Sequence, residues 1–126
     1  MIQKIIAVAF GGSIGSVLRF LIFTYYDKTS SGNFPWATLI VNLAGSFIIG
    51  FLWGFFDKVF ITTGIRLFIF VGLLGSFTTF STFAFDVFSL GKDGDIKNIL
   101  IYILATNIIG IALAFGGYYL SKQSIF

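Results

Sequence analysis

The chain of 126 residues contains no cysteine and no histidine, a single proline and few charges, 8 Lys and Arg against 5 Asp and Glu. Without cysteine there is no disulfide, thiolate nucleophile or thiolate metal ligand, and without histidine there is no imidazole for metal binding or proton relay. Most enzyme chemistries lose their usual reagents, so the chain reads as a non-enzyme. No Asp or Glu precedes Asp27. The first apolar span therefore has no buried acid to couple protons, which argues against a four-helix drug exporter of the small multidrug resistance type.

The chain is rich in apolar residues: 57% are hydrophobic and 20% aromatic, with a mean hydropathy of +1.00. A soluble domain of this size cannot hide that much apolar surface, and a bilayer can accommodate it. The net charge of +3 is spread over basic residues that sit mostly at span ends. Such residues meet lipid headgroups, and no nucleic-acid partner is expected.

Hydropathy and turn signals predict four membrane spans, at about 5–26, 36–56, 66–90 and 98–120, within one four-helix domain covering 1–126. Apolar character continues to Tyr26 without a small-residue cleavage pattern, which predicts a retained first helix. Asp27 to Asn33 reads as a loop, and Pro35 fits at or just ahead of the first turn of span two. Four spans put both termini on one side. Lys4, Lys58, Arg66 and Lys122 lie on that side, against Lys28, Lys92 and Lys97, with Arg19 in addition if it reaches that interface. So even a tally specifies almost no orientation, and dual topology follows as an expectation.

Small residues recur four apart, as in Gly11 and Gly15, Ser46, Gly50 and Gly54, Gly72 and Ser76, and Gly110 and Ala114. Such rows let helix backbones approach closely in lipid. Asn42 lies mid-span with Thr38 and Ser46 a turn away on the same face, which suits structural glue and pore lining equally. Tyr102 and Thr106 form a similar stripe on span four. Arg19, well inside span one, either snorkels outward or lines an anion-attracting vestibule. Asp86 sits about one turn beyond Phe83, and neither it nor Ser81 receives a role.

The densest polar patch is Gly75-Ser76-Phe77-Thr78-Thr79-Phe80-Ser81-Thr82-Phe83, inside span three. Phe80 and Phe83 are helical neighbours, with Thr79 and Thr82 on the adjoining row. Ring edges are electropositive and attract anions weakly, as conduction requires; plain helix packing of the two rings is the other reading. Gly75, Ser76 and two β-branched threonines make a poor continuous helix, and a break here would free carbonyls able to hold a cation.

Together with Gly11-Gly12-Ser13-Ile14-Gly15, Arg19 and the run Thr38 to Phe47, this patch resembles the fluoride-specific ion channels of the Fluc, or CrcB, family. The resemblance covers essentially the whole chain. It implies an all-α integral membrane protein of a bacterial plasma (inner) membrane, with four transmembrane helices, a break in the third, and assembly as an antiparallel, dual-topology homodimer. Two fluoride pathways and a central sodium ion come with it. It assigns the sodium to backbone carbonyls of Gly75 and Thr78, and fluoride to Phe80, Phe83, Asn42, Thr82, Tyr102, Thr106, Thr38 and Arg19. Asp86 stands where the family has Glu, and Ser76 where it has a second glycine beside the sodium loop.

Overall fold

The computed structural model describes residues 1–30 and 32–124; Ser31, in the first expected loop, lies outside them. Among the described residues the chain is all-helical, and four runs are long and apolar enough to cross a membrane: Ile2–Thr29, Trp36–Phe56, Thr63–Lys92 and Ile96–Ser124. The first is α1 and the second α2. The third combines α3 (Thr63–Arg66), a π-helical stretch Leu67–Leu74, α4 (Gly75–Phe77) and α5 (Phe80–Lys92). The fourth combines α6 (Ile96–Leu104), a π-helical stretch Ala105–Ile109 and α7 (Gly110–Ser124).

Helix α2 has the limits that hydropathy predicts, because Pro35 stands immediately before it and accepts the N–H of Leu39 at 3.2 Å. The other three runs extend a few residues past their apolar spans. Lys4, Lys28 and Lys92 are adequate helix formers, so the helix continues where hydropathy has already fallen. Thr62 caps α3 through its hydroxyl, which accepts the N–H of Ile65 at 3.3 Å. Asp95 caps α6, accepting from the Asn98 backbone at 3.3 Å and from the Asn98 amide at 2.7 Å. Between them α5 closes on Gly94, at φ 72°, where the N–H of Asp95 bonds the Leu90 carbonyl and that of Gly94 the Gly91 carbonyl. This is the Schellman pattern, and the positive φ is why a glycine stands there.

Two tight seams hold the helices together. Along α2 and α7, a Cβ on Gly50 would run into the Ala114 carbonyl, one on Gly54 into Ser121 and the Tyr118 carbonyl, and one on Gly117 into the Phe47 carbonyl. Along α1 and the first π-helical stretch, Gly11 abuts the Phe68 carbonyl, Gly15 that of Leu73, and Gly72 that of Val8. Backbones at this distance gain dispersion contacts that lipid tails cannot match, which is the dominant association term in a bilayer. Large apolar side chains point outward instead: Phe10 is 65% exposed and Phe115 61%. That surface is suited to hydrocarbon.

Candidate functional site

Helical backbone stops for two residues of the third run. Thr78 (φ −82°, ψ 157°) and Thr79 (φ −151°, ψ 121°) are extended, and helix resumes at Phe80. The interruption falls later than the sequence suggests, because Gly75, at φ −62° and ψ −32°, is still helical. Helical bonding reaches as far as Thr78, whose N–H bonds the Leu74 carbonyl at 3.1 Å and whose hydroxyl donates to the same oxygen at 3.0 Å.

Thr79 is held from two directions. From α2, the Asn42 amide accepts the Thr79 N–H at 2.8 Å and donates to the Thr79 carbonyl at 3.0 Å. From its own side, the Thr79 hydroxyl caps α5 by accepting the N–H of Thr82 at 3.2 Å, and it donates to the Thr82 hydroxyl at 3.1 Å. Ser81 lies beside this pair, with its oxygen 3.4 Å from that of Thr79. The hydroxyl ladder read from the sequence is thus a cap as well as a polar surface.

These bonds decide which carbonyls are left over. In a continuous α-helix the Gly75 carbonyl accepts from residue 79 and the Thr78 carbonyl from residue 82. Here the Thr79 N–H is given to Asn42 and the Thr82 N–H to Thr79 Oγ1. Both carbonyls expected to hold sodium are therefore deprived of their helical donors. Neutral carbonyl oxygens suit a hard monovalent cation. Among the described residues no group of three His, Cys, Asp or Glu side chains offers a different kind of metal site. The residues present fit sodium, which would supply positive charge to a carbonyl-rich break.

A cavity of about 400 Å³ opens beside the interruption, and Gly75, Thr78, Phe80, Phe83, Asn42 and Thr106 all line it. The two rings lie 5.8 Å apart at 44°, with Phe80 78% exposed. Thr106 Oγ1 is buried without a hydrogen-bond partner. Ser46 and Asn107 line the same cavity and were not singled out as site residues from sequence. Ser46 belongs to the Asn42 face that the sequence reads as helix glue or pore lining, and here it takes part in the lining; Asn107 sits in the π-helical stretch Ala105–Ile109, which composition does not reveal.

The remaining sequence-selected residues do not line this cavity. Tyr102 is fully buried, its ring 5.0 Å from that of Phe83, and its hydroxyl donates to Asp86 at 2.8 Å. Asp86 thereby acquires a partner that sequence did not supply. It also faces a small polar cavity of about 120 Å³ with Ser89 and Asp93. Thr38 is 2% exposed. Arg19 is partly buried on α1, with its Nε unpartnered. Ser76 ties α1 to α4, its hydroxyl 2.9 Å from the Gly12 carbonyl and 2.7 Å from that of Gly72.

Comparison with known proteins matches residues 6–118 to the family model described as CrcB-like protein, Camphor Resistance (CrcB). A protein of Parabacteroides distasonis named fluoride-specific ion channel FluC is 41% identical over 122 residues, 97% of this chain and 95% of the relative. One of the same name from Aquifex aeolicus is 43% identical over 120 residues, 94% and 97% of the two chains. A third, from Thermus thermophilus, is 36% identical over 117 residues, 93% and 92%. With four membrane-length helices and these relatives, the chain belongs to the CrcB-like family, as a bacterial multi-pass membrane protein whose matched relatives are named as ion channels and not as enzymes.

Proposed function

We propose that this chain is a passive, fluoride-selective channel that exports fluoride from the bacterial cytoplasm and so relieves its toxicity. The observation that carries the reading is the pair Phe80 and Phe83, whose rings lie 5.8 Å apart and line a mid-span cavity together with Thr79, itself hydrogen-bonded to the Thr82 hydroxyl. Ring edges attract an anion without binding it as tightly as a guanidinium would, and weak repeated sites let an ion leave as well as enter. Asn42 and Thr106 extend the polar lining, the buried Tyr102 and Thr38 contribute to the pathway from behind it, and Arg19 draws anions to the vestibule. The choice of fluoride rests on the names of the relatives. Membrane potential and the gradient left by dissociation of the weak acid inside the cell drive the ion outward.

Two copies assemble as an antiparallel homodimer with two pathways and a central sodium held by the Gly75 and Thr78 carbonyls. Support for a second copy comes from the exposed ring of Phe80 and from Asn107, an exposed amide within the fourth run that lines the same cavity. Facing lipid, such polar groups are costly, and a second protein surface removes that cost. The even distribution of Lys and Arg supports insertion in both orientations.

Reconstituted liposomes test the function directly. Fluoride efflux is expected far above that of empty vesicles and chloride efflux indistinguishable from it; equal permeability to the two anions, or to neither, refutes the reading. Topology is tested with a cysteine added at the C-terminus, unambiguous because the chain has no native thiol. About half of the reporters should react with an impermeant maleimide from each side. Reaction from one side alone excludes dual topology.

A further inference from the structure

We propose that Asn42 is the positioning residue that opens the third span for its cation, by taking the backbone N–H that would otherwise bond the Gly75 carbonyl. This rests on the sodium reading above, and adds a cause for the site. The hydrogen bonds of the helix are intact through Thr78, whose N–H still reaches Leu74. The next N–H, that of Thr79, is the first to leave the helix, and it goes to Asn42 Oδ1 at 2.8 Å.

β-branched side chains disfavour helix only weakly, so the two threonines do not by themselves account for a full interruption. A carboxamide offers one acceptor and one donor side by side, matching the N–H and C=O of one extended residue. Asn42 uses both on Thr79, with Nδ2 donating to the Thr79 carbonyl at 3.0 Å. Gly45, about one turn along α2, allows this approach, since a Cβ there would strike the Thr78 methyl group. One Nδ2 hydrogen remains for the cavity that Asn42 lines. A single side chain thus frees a carbonyl for a cation and faces the anion path.

The test measures sodium-specific stabilisation of the intact purified protein, as the rise in unfolding midpoint when choline chloride is exchanged for sodium chloride at constant ionic strength. Asn42→Ala is expected to raise the sodium concentration for half effect roughly tenfold, the weight of one lost hydrogen-bonding arrangement around an ion. Asn42→Asp keeps an acceptor for the Thr79 N–H but loses the donor to the Thr79 carbonyl, so its sodium midpoint should shift clearly less than that of Asn42→Ala while fluoride efflux falls, because a carboxylate now faces the anion. If Asn42→Ala does not fold, Asn42→Ser, too short to bridge to Thr79, is measured in its place. A sodium midpoint unchanged in the Ala or Ser variant, or an equal loss in the Asp variant, overturns the role of Asn42 and leaves the sodium site standing. Absence of sodium-specific stabilisation in the unsubstituted protein overturns both.

Discussion

Fluoride efflux from liposomes carrying the double variant Phe80→Ile, Phe83→Ile is expected to fall to the level of empty vesicles while the protein stays folded. The two halves of that result have separate causes. Isoleucine fills much of the volume of a phenyl ring but has no quadrupole, so the electropositive edge presented to an anion disappears. Folding is spared because Phe80 is 78% exposed and gives up little packing. Phe83 is half-buried against Tyr102, with ring centroids 5.0 Å apart. Losing that contact costs about 1 kcal/mol, the usual value of an aromatic pair. A fluoride-selective electrode reads the flux, and helical circular dichroism with gel filtration reads the fold. Undiminished flux in a folded double variant would remove ring edges from the mechanism and leave only the hydroxyls and Asn42.

The second large effect concerns assembly of the helices. Gly50→Val should abolish the folded protein, or reduce its yield severely, because the new Cβ would occupy the position of the Ala114 carbonyl. Backbone cannot rotate aside as a side chain can, so α2 and α7 would have to separate along the seam shared by Gly54 and Gly117. Overpacking of this kind costs about 1–3 kcal/mol where neighbours can yield, and more where they are main chain. Gly116→Val is the matched control on α7, since a Cβ there meets nothing within 4 Å. Its unfolding midpoint in detergent should be close to that of the parent. Equal tolerance of the two substitutions would mean that the seam is looser than its geometry implies.

The sequence is legible wherever a single residue type carries the signal. Pro35 and Asp57 bracket α2 at its observed ends, and the glycine rows predict the seams along which α1 and α7 pack. Thr78 and Thr79, β-branched residues behind Gly75, point to a disturbed helix, though the disturbance lies at the threonines and not at the glycine. Two features leave no local trace. The π-helical stretches Leu67–Leu74 and Ala105–Ile109 are shifts of hydrogen-bond register that ordinary apolar residues accommodate, so hydropathy passes over them. The partnership of Asn42 with Thr79 joins positions 37 apart in sequence, and that of Asp86 with Tyr102 joins two helices. Both require tertiary placement.

The interruption at Thr78 and Thr79 also places two helix ends of opposite polarity only two residues apart. The helix arriving at Phe77 ends in carbonyls and carries partial negative charge, whereas α5, starting at Phe80, opens with amides and carries partial positive charge. In hydrocarbon, where water cannot damp such fields, these ends attract ions of opposite sign. One short kink of backbone, without any charged side chain, would thereby suit both the proposed resting cation and the proposed travelling anion, as near neighbours in a bilayer that excludes each of them alone.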